Sequence, residues 1–330
     1  MHSRQLTVQD LLSRIDINLS LNQTCLHVAQ AYGLGKVQSV DPLFVGHSEV
    51  NIHLITVENE YAIKFFNKDK DYQICHQIAQ AIAEFSRAKI LVPKIITLDG
   101  SSLFKLPDLV GKGYLVVTQY FPGKSFNDFI PSDNDLCKVA KELAKINNLP
   151  STLKPLYDPW ILEHLAHEYE TKLGILTQEE VALIEPIVQD LIQLNTSHFP
   201  LKTVHYDLHR DNLKKSSTGR YCLFDLETVG LGYPVMDLST YLGLTVLDDR
   251  RDEKENQQFS QNVISQYTQI HPLNATELAA LPILIRSIWA GNLLQAAYLM
   301  RAESDDTNET AKWYDLGHTM LTKLIHLSNV

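Results

Sequence analysis

Residues 203–228 constrain this chain more than any other stretch. They read Thr-Val-His-Tyr-Asp-Leu-His-Arg-Asp-Asn-Leu, then Lys-Lys-Ser-Ser-Thr-Gly-Arg, then Tyr-Cys-Leu-Phe-Asp-Leu-Glu-Thr. His205, Asp207 and Asn212 stand in the order H-x-D-x-x-x-x-N, and Asp225 follows 13 residues after Asn212. Between them, Ser216-Ser217-Thr218-Gly219 has turn composition, and Tyr221 to Phe224 is short, apolar and aromatic, as a buried strand is. A hairpin over this segment returns Asp225 to Asn212.

The spacing is that of a kinase catalytic loop followed by its metal aspartate. A phosphoryl group in transit needs a carboxylate to orient the attacking hydroxyl and take its proton, and a divalent cation to neutralise the phosphate oxygens. Asp207 is the candidate base. Asn212 and Asp225 offer the hard oxygens that magnesium prefers, and Glu227 adds a second carboxylate. Two other readings compete. A polar loop of this kind can be a solvated turn, and His205, Asp207 and His209 also form H-x-D-x-H, a spacing that can place three ligands on one metal.

His205 to Asn212, followed by Phe224-Asp225-Leu226-Glu227 and Gly232-Tyr233-Pro234-Val235-Met236-Asp237-Leu238, resembles the aminoglycoside phosphotransferase and choline kinase superfamily. Tyr206 departs from that pattern, standing where the family usually has glycine. The resemblance implies an α+β, protein-kinase-like fold of two lobes, with an antiparallel β-sheet N-lobe and a mostly α-helical C-lobe. It implies ATP and Mg as cofactors, transfer of the γ-phosphoryl group to a small-molecule hydroxyl, and a bracing role for Asp237 behind the catalytic loop. Homoserine, amino alcohol, sugar and aminoglycoside acceptors all remain open. So do a protein Ser/Thr kinase of the same superfamily and a nucleotide-binding pseudokinase.

The 330 residues are 45% hydrophobic and 21% charged, which permits one large domain or two lobes. A net charge of −10 argues against nucleic acid or an anionic membrane as the main partner and favours a cationic or neutral substrate. The resemblance implies a small-molecule acceptor, and a monomer or homodimer is expected. The amino terminus has no leader-like pattern and no apolar run approaches a membrane span, giving a cytoplasmic reading. Cys25, Cys75, Cys137 and Cys222 are widely separated and form no C-x-x-C pair, so they read as packing residues.

The N-lobe is expected over residues 1–120. Periodicity predicts a helix over 22–32, strands over 37–45, 50–57 and 61–66, and a helix over 71–88. Gly46, Ser48 and Asn51 occupy the place of a phosphate-covering loop, and Lys64 lies on the strand where kinases carry their phosphate lysine. The partner of Lys64 stays open among Gln77, Gln80 and Glu84. Short strands follow at 94–98 and 103–106, then one at 113–120 that runs into Phe121-Pro122-Gly123. The resemblance makes this last stretch a hinge, with backbone groups at Gln119 to Phe121 on the purine.

The C-lobe is expected over 121–330, with helices at 132–148, 159–173, 177–195, 235–247, 259–269, 277–300 and 308–327. Trp289, Asn292, Tyr298, Arg301, Trp313, Tyr314 and Asp315 are acceptor-pocket candidates by position, and core packing explains such aromatics equally well. Glu303-Ser304-Asp305-Asp306 is either an attractor for a cation or a solvated loop.

Overall fold

The computed structural model describes residues 6–44, 48–150 and 152–324. The predicted strand end at 45, the loop residue Gly46 and the helix residues 325–327 lie outside them. Backbone contacts divide the chain into two units, one ending at Gly123 and the other beginning at Lys124.

The first unit contains α1 (Val8–Ser13), α2 (Leu21–Ala31), β1 (Val37–Leu43), β2 (Val50–Thr56), β3 (Glu60–Phe65), α3 (Tyr72–Arg87), β4 (Ile95–Ile96), β5 (Phe104–Lys105) and β6 (Tyr114–Gln119). The strands form one antiparallel sheet in the order β1-β2-β3-β6-β4, with β5 also on β6. Val50, Ile52 and Leu54 alternate with half-buried residues along β2, as do Tyr61, Ile63 and Phe65 along β3. That period of two puts one row into a core shared with Leu11 of α1 and Cys25 and Val28 of α2. The other row, Asn51, His53, Ala62 and Lys64, faces the opposite side of the sheet. The predicted helix over 22–32 is thus part of this core. α1, with a Thr7/Asp10 capping box, is too short for periodicity to reveal. Asp71 caps α3, whose Ile78, Ile82 and Phe85 are buried, and α3 packs on β4 and β6.

The second unit contains β7 (Lys124–Ser125), α4 (Asp133–Asn147), α5 (Leu165–Lys172), α6 (Gln178–Ile192), β8 (Lys202–Val204), β9 (Leu213–Lys215), β10 (Tyr221–Leu223), β11 (Gly230–Gly232), α7 (Pro234–Tyr241), α8 (Glu253–Thr268), α9 (Ala275–Ala302) and α10 (Asn308–Leu324). α9 is the centre, with α6, α7 and α10 packed around it. By length and composition it could cross a membrane, contrary to the expectation that no apolar run approaches that size, yet two thirds of its apolar window is buried inside the unit. A helix that is apolar on all sides is what a core surrounded by other helices requires.

Three predicted helices differ. The one at 159–173 starts late, because Asp158 takes the N–H of Trp160 and a short 3-10 turn precedes α5. The one at 235–247 is α-helical to Tyr241 and then widens into a π turn over Leu242–Val246. α8 begins at Glu253, six residues before the predicted 259, because Asp252 and Glu255 form a capping box over a polar first turn that carries no apolar signal.

α9 and α10 approach closely at Gly317, where an added Cβ would lie 2.9 Å from the backbone nitrogen of Leu293. Alanine normally improves a helix by up to about 1 kcal/mol over glycine. Here the backbone contact outweighs it, and Gly317→Ala is expected to destabilise the chain by about 1–3 kcal/mol in urea unfolding. A stabilised variant would show that the two helices have room to spare.

Candidate active site

The H-x-D-x-x-x-x-N loop leaves β8, which is held by antiparallel pairing to β11. The carboxylate of Asp237 then anchors it. Its Oδ2 accepts the His205 N–H at 2.9 Å and the Asn147 Nδ2 at 2.8 Å, and its Oδ1 accepts the Tyr206 N–H at 2.9 Å. The Tyr267 hydroxyl donates to Asn147 Oδ1 at 2.6 Å, fixing that amide. His205, Asn147 and Asp237 are each 0% exposed, so these bonds offset the desolvation of a carboxylate taken out of water.

Tyr206 has φ 63°, in the left-handed region that costs a non-glycine residue about 1–2 kcal/mol. The glycine of the family pattern would adopt it without strain. Tyr206 offsets the cost through its side chain: its hydroxyl donates to Glu163 at 2.7 Å and accepts the Tyr233 N–H at 2.6 Å. The ring lies over Gly232, where a Cβ would stand 2.2 Å from the tyrosine oxygen, so the two positions fit together only as this pair.

His205 Nε2 lies 3.0 Å from the Phe224 carbonyl and Nδ1 3.3 Å from the Asp207 N–H. These partners assign the neutral tautomer with the proton on Nε2. Both nitrogens serve the backbone, so the H-x-D-x-H metal reading loses its first ligand. Burial pushes the imidazole down to about 4, with the Phe224 carbonyl opposing.

Asn212 Nδ2 donates to the Asp207 carboxylate at 2.8 Å and to its carbonyl at 2.9 Å. The predicted hairpin forms as β9–β10, and the Phe224 N–H closes on the Asn212 carbonyl at 2.8 Å. Asp225 follows in the left-handed region, φ 55°, a strain concentrated where the chain must aim a carboxylate. Burial raises the Asp207 carboxyl well above its ordinary range, and the charge of Asp225, then that of Asp158, adds to the effect against the Asn212 hydrogen bond; Glu227 contributes least. The structure therefore gathers Asp207, Asn212, Asp225 and Glu227, and adds Asp158. Sequence reading missed Asp158 because its only local signal is an Asp-Pro turn.

Asn212 spends its amide hydrogens on Asp207, which leaves its Oδ1 for a cation, and Asp225 and Glu227 are hard carboxylate donors. Among the described residues no three His, Cys, Asp or Glu side chains converge into a self-sufficient cage. The donor set fits magnesium that draws its remaining oxygens from phosphate and water.

In the first unit, Asn51 and Lys64 are directly opposite each other on β2 and β3, so both stand on the half-buried face of the sheet. The Ser48 carbonyl accepts the Asn67 amide at 3.2 Å, and buried Glu49 pairs with Lys70. Glu84 accepts from Gln80 at 2.8 Å. Of the backbone donors at the expected hinge, the Gln119 N–H bonds the Lys94 carbonyl at 2.8 Å and the Tyr120 N–H bonds the Glu60 carbonyl at 3.1 Å. Phe121, half-buried, lies two residues beyond the end of β6.

The late-helix candidates divide. Arg301 and Tyr314 both bind Glu180, Tyr298 lies under the Lys172 ammonium, and Asp315 is exposed. Asp305 accepts from Thr307 and Thr310 at the start of α10, so the acidic tract serves as a cap. Asn292 is buried in α9. Trp313 instead meets the edge of His209, ring centres 5.1 Å apart, beside the catalytic loop.

An antiparallel-sheet unit, a helical unit and a loop carrying this carboxylate and amide pair define a phosphotransferase of the kinase-like fold. The chain belongs to the phosphotransferase enzyme family, whose model matches residues 40–273. Among solved structures it resembles a choline/ethanolamine kinase family protein from Mesorhizobium loti, at 13% identity over 93% of this chain and 95% of that one, TM-score 0.68. It also resembles spectinomycin phosphotransferase in complex with ADP and spectinomycin, at 13% identity over 93% and 98%, TM-score 0.69. A choline kinase from Streptococcus pneumoniae matches at 20% identity over 92% and 99%, TM-score 0.59.

The buried His205 makes a pH prediction. Below the unfolded value of 6.5 the unfolded chain takes up a proton that the folded chain refuses down to about 4, so this residue withdraws stability across that window. At about 1.4 kcal/mol per tenfold in proton affinity the loss reaches about 3 kcal/mol. Burial pushes Asp237 up to about 6, a shift of opposite sense, so the comparison is made against the native chain. His205→Gln keeps a donor and an acceptor, and its stability relative to the native chain is expected to improve from pH 7 to pH 4. A constant difference in urea midpoints would contradict the neutral, buried assignment.

Proposed function

We propose that this chain is a small-molecule kinase that moves the γ-phosphoryl group of ATP to a hydroxyl of its acceptor. The observation that carries this reading is the Asp207 carboxylate, oriented by Asn212 at 2.8 Å and raised in proton affinity by burial and by Asp225. A carboxylate so raised is a better proton acceptor for a hydroxyl than one in water. In the proposed reaction Asp207 orients the acceptor hydroxyl and takes its proton. The acceptor oxygen forms the new bond to the γ-phosphorus, the bond to the β,γ-bridging oxygen breaks, and ADP leaves.

Magnesium, held by Asn212, Asp225 and Glu227, would supply charge neutralisation on the phosphate oxygens. Lys64 would pair with phosphate, with Gly46, Ser48 and Asn51 on the covering loop and Gln119 and Phe121 on the base; Asn51 supports this by sharing a face with Lys64. The nucleotide assignment draws on the ADP bound by spectinomycin phosphotransferase. The net charge of −10 supports a soluble acceptor over nucleic acid or an anionic membrane. Four free cysteines accord with a reducing, cytoplasmic setting.

The test is magnesium-dependent ADP release over a panel of amino alcohols, homoserine, sugars and aminoglycosides. Asp207→Ala is expected to lower kcat by about 10²- to 10⁴-fold with folding retained. Full phosphotransfer in that variant would remove Asp207 from the base role.

A further inference from the structure

A cavity of about 330 Å³ opens beside the catalytic loop in the second unit. His209 forms part of its wall, and His209 Nε2 lies 3.7 Å from the Asp207 carboxylate, so the cavity adjoins the proposed base. We propose that it is the acceptor site and that its acceptor is a neutral, polyhydroxylated molecule of about monosaccharide size, rather than a cationic amine. This rests on the phosphotransfer reading above and narrows it.

Size sets the first limit. The volume sits at the small end of the range for ligand sites, about 300–1,000 Å³, and equals about eleven waters at about 30 Å³ each. Its walls hold one sugar ring.

Charge sets the second. The wall carries three cations, Arg210, Arg250 and Lys312, against three carboxylates, Asp211, Asp248 and Asp249. The protein's own cations already engage the acids an ammonium would need. Asp248, with a side chain 0% exposed, is bound by Arg210 at 3.0 Å and by Arg250 at 2.7 and 2.8 Å. Asp211 takes Lys312 at 2.8 Å and the amide of Asn127. Asp249 has Lys323 at 3.9 Å. Arg210 is further locked by the carbonyls of Thr245 and Leu247 at the end of the π turn, so it cannot swing aside for a ligand. The aromatic cation site is also taken: the Lys312 ammonium lies 5.4 Å from the centre of Trp313. An amine entering here displaces a protein cation and gains little.

The lining sets the third. Trp289 stands in the wall, 4% exposed. Paired charges give adjacent donors and acceptors, which match neighbouring hydroxyls, while Leu316 and Met320 offer an apolar surface for the C–H face of a ring.

The experiment measures kcat/KM by ADP release with magnesium and ATP for matched acceptors: neutral monosaccharides and polyols, their amino counterparts, simple amino alcohols and aminoglycosides. Neutral acceptors are expected to exceed their amino counterparts by about tenfold or more. Exposed Lys312→Met, which keeps the fold and frees both Asp211 and the Trp313 face, is expected to shift the preference towards amines. Highest kcat/KM with an amine in the native chain overturns the proposal and leaves the phosphotransfer reading standing. An unchanged preference in a folded Lys312→Met also overturns it. Nucleotide binding by calorimetry with no acceptor-dependent ADP release overturns both readings.

Discussion

The catalytic loop depends on one buried carboxylate. Asp237, at the start of α7, receives the consecutive N–H groups of His205 and Tyr206, and Tyr206 holds a left-handed backbone conformation in doing so. The strain and the anchor sit on the same residue. Asn147 from α4 and Tyr267 from α8 complete the network, so helices distant in sequence fix a turn of a few residues. Such a network holds only when fully satisfied, since each orphaned member in a dry interior costs about 1–3 kcal/mol.

With the loop fixed, its remaining groups have little freedom. His205 spends both ring nitrogens on backbone, Asn212 spends its amide hydrogens on Asp207, and the hairpin brings Asp225 to the same place. The outcome is a crowd of like charge around Asp207. Perturbed carboxylates of this kind mark functional sites, and the magnesium and acceptor proton proposed above would offset that cost.

The sequence revealed the loop, the hairpin and the sheet because each has a local signature. Spacing carries H-x-D-x-x-x-x-N and Asp225, and a period of two carries Ile52, Ile63 and their neighbours. It also marked Asp237, through the pattern after Gly232. Asp158 was invisible, since its role follows from a long-range approach to Asp207. The pairing of Tyr206 with Gly232 and Glu163 was likewise hidden: it explains how a tyrosine stands in a glycine position, but only three-dimensional packing discloses it. Helix ends failed where capping polar residues or a π turn replaced apolar periodicity, as at Glu253 and Leu242. Asn51, expected on the phosphate-covering loop, lies on β2 opposite Lys64 on β3, whereas Gly46 lies outside the described residues.

Asp237 is expected to position the chemistry from behind the loop, through the backbone of His205 and Tyr206. The direct measurement is kcat of Asp237→Asn, a change that keeps shape but turns an accepting oxygen into a donor facing an N–H, with a thermal melt to establish folding. A loop displaced by about 1 Å predicts a loss on the order of 10²-fold in kcat, with acceptor KM little changed. A folded Asp237→Asn chain with native kcat would contradict the account.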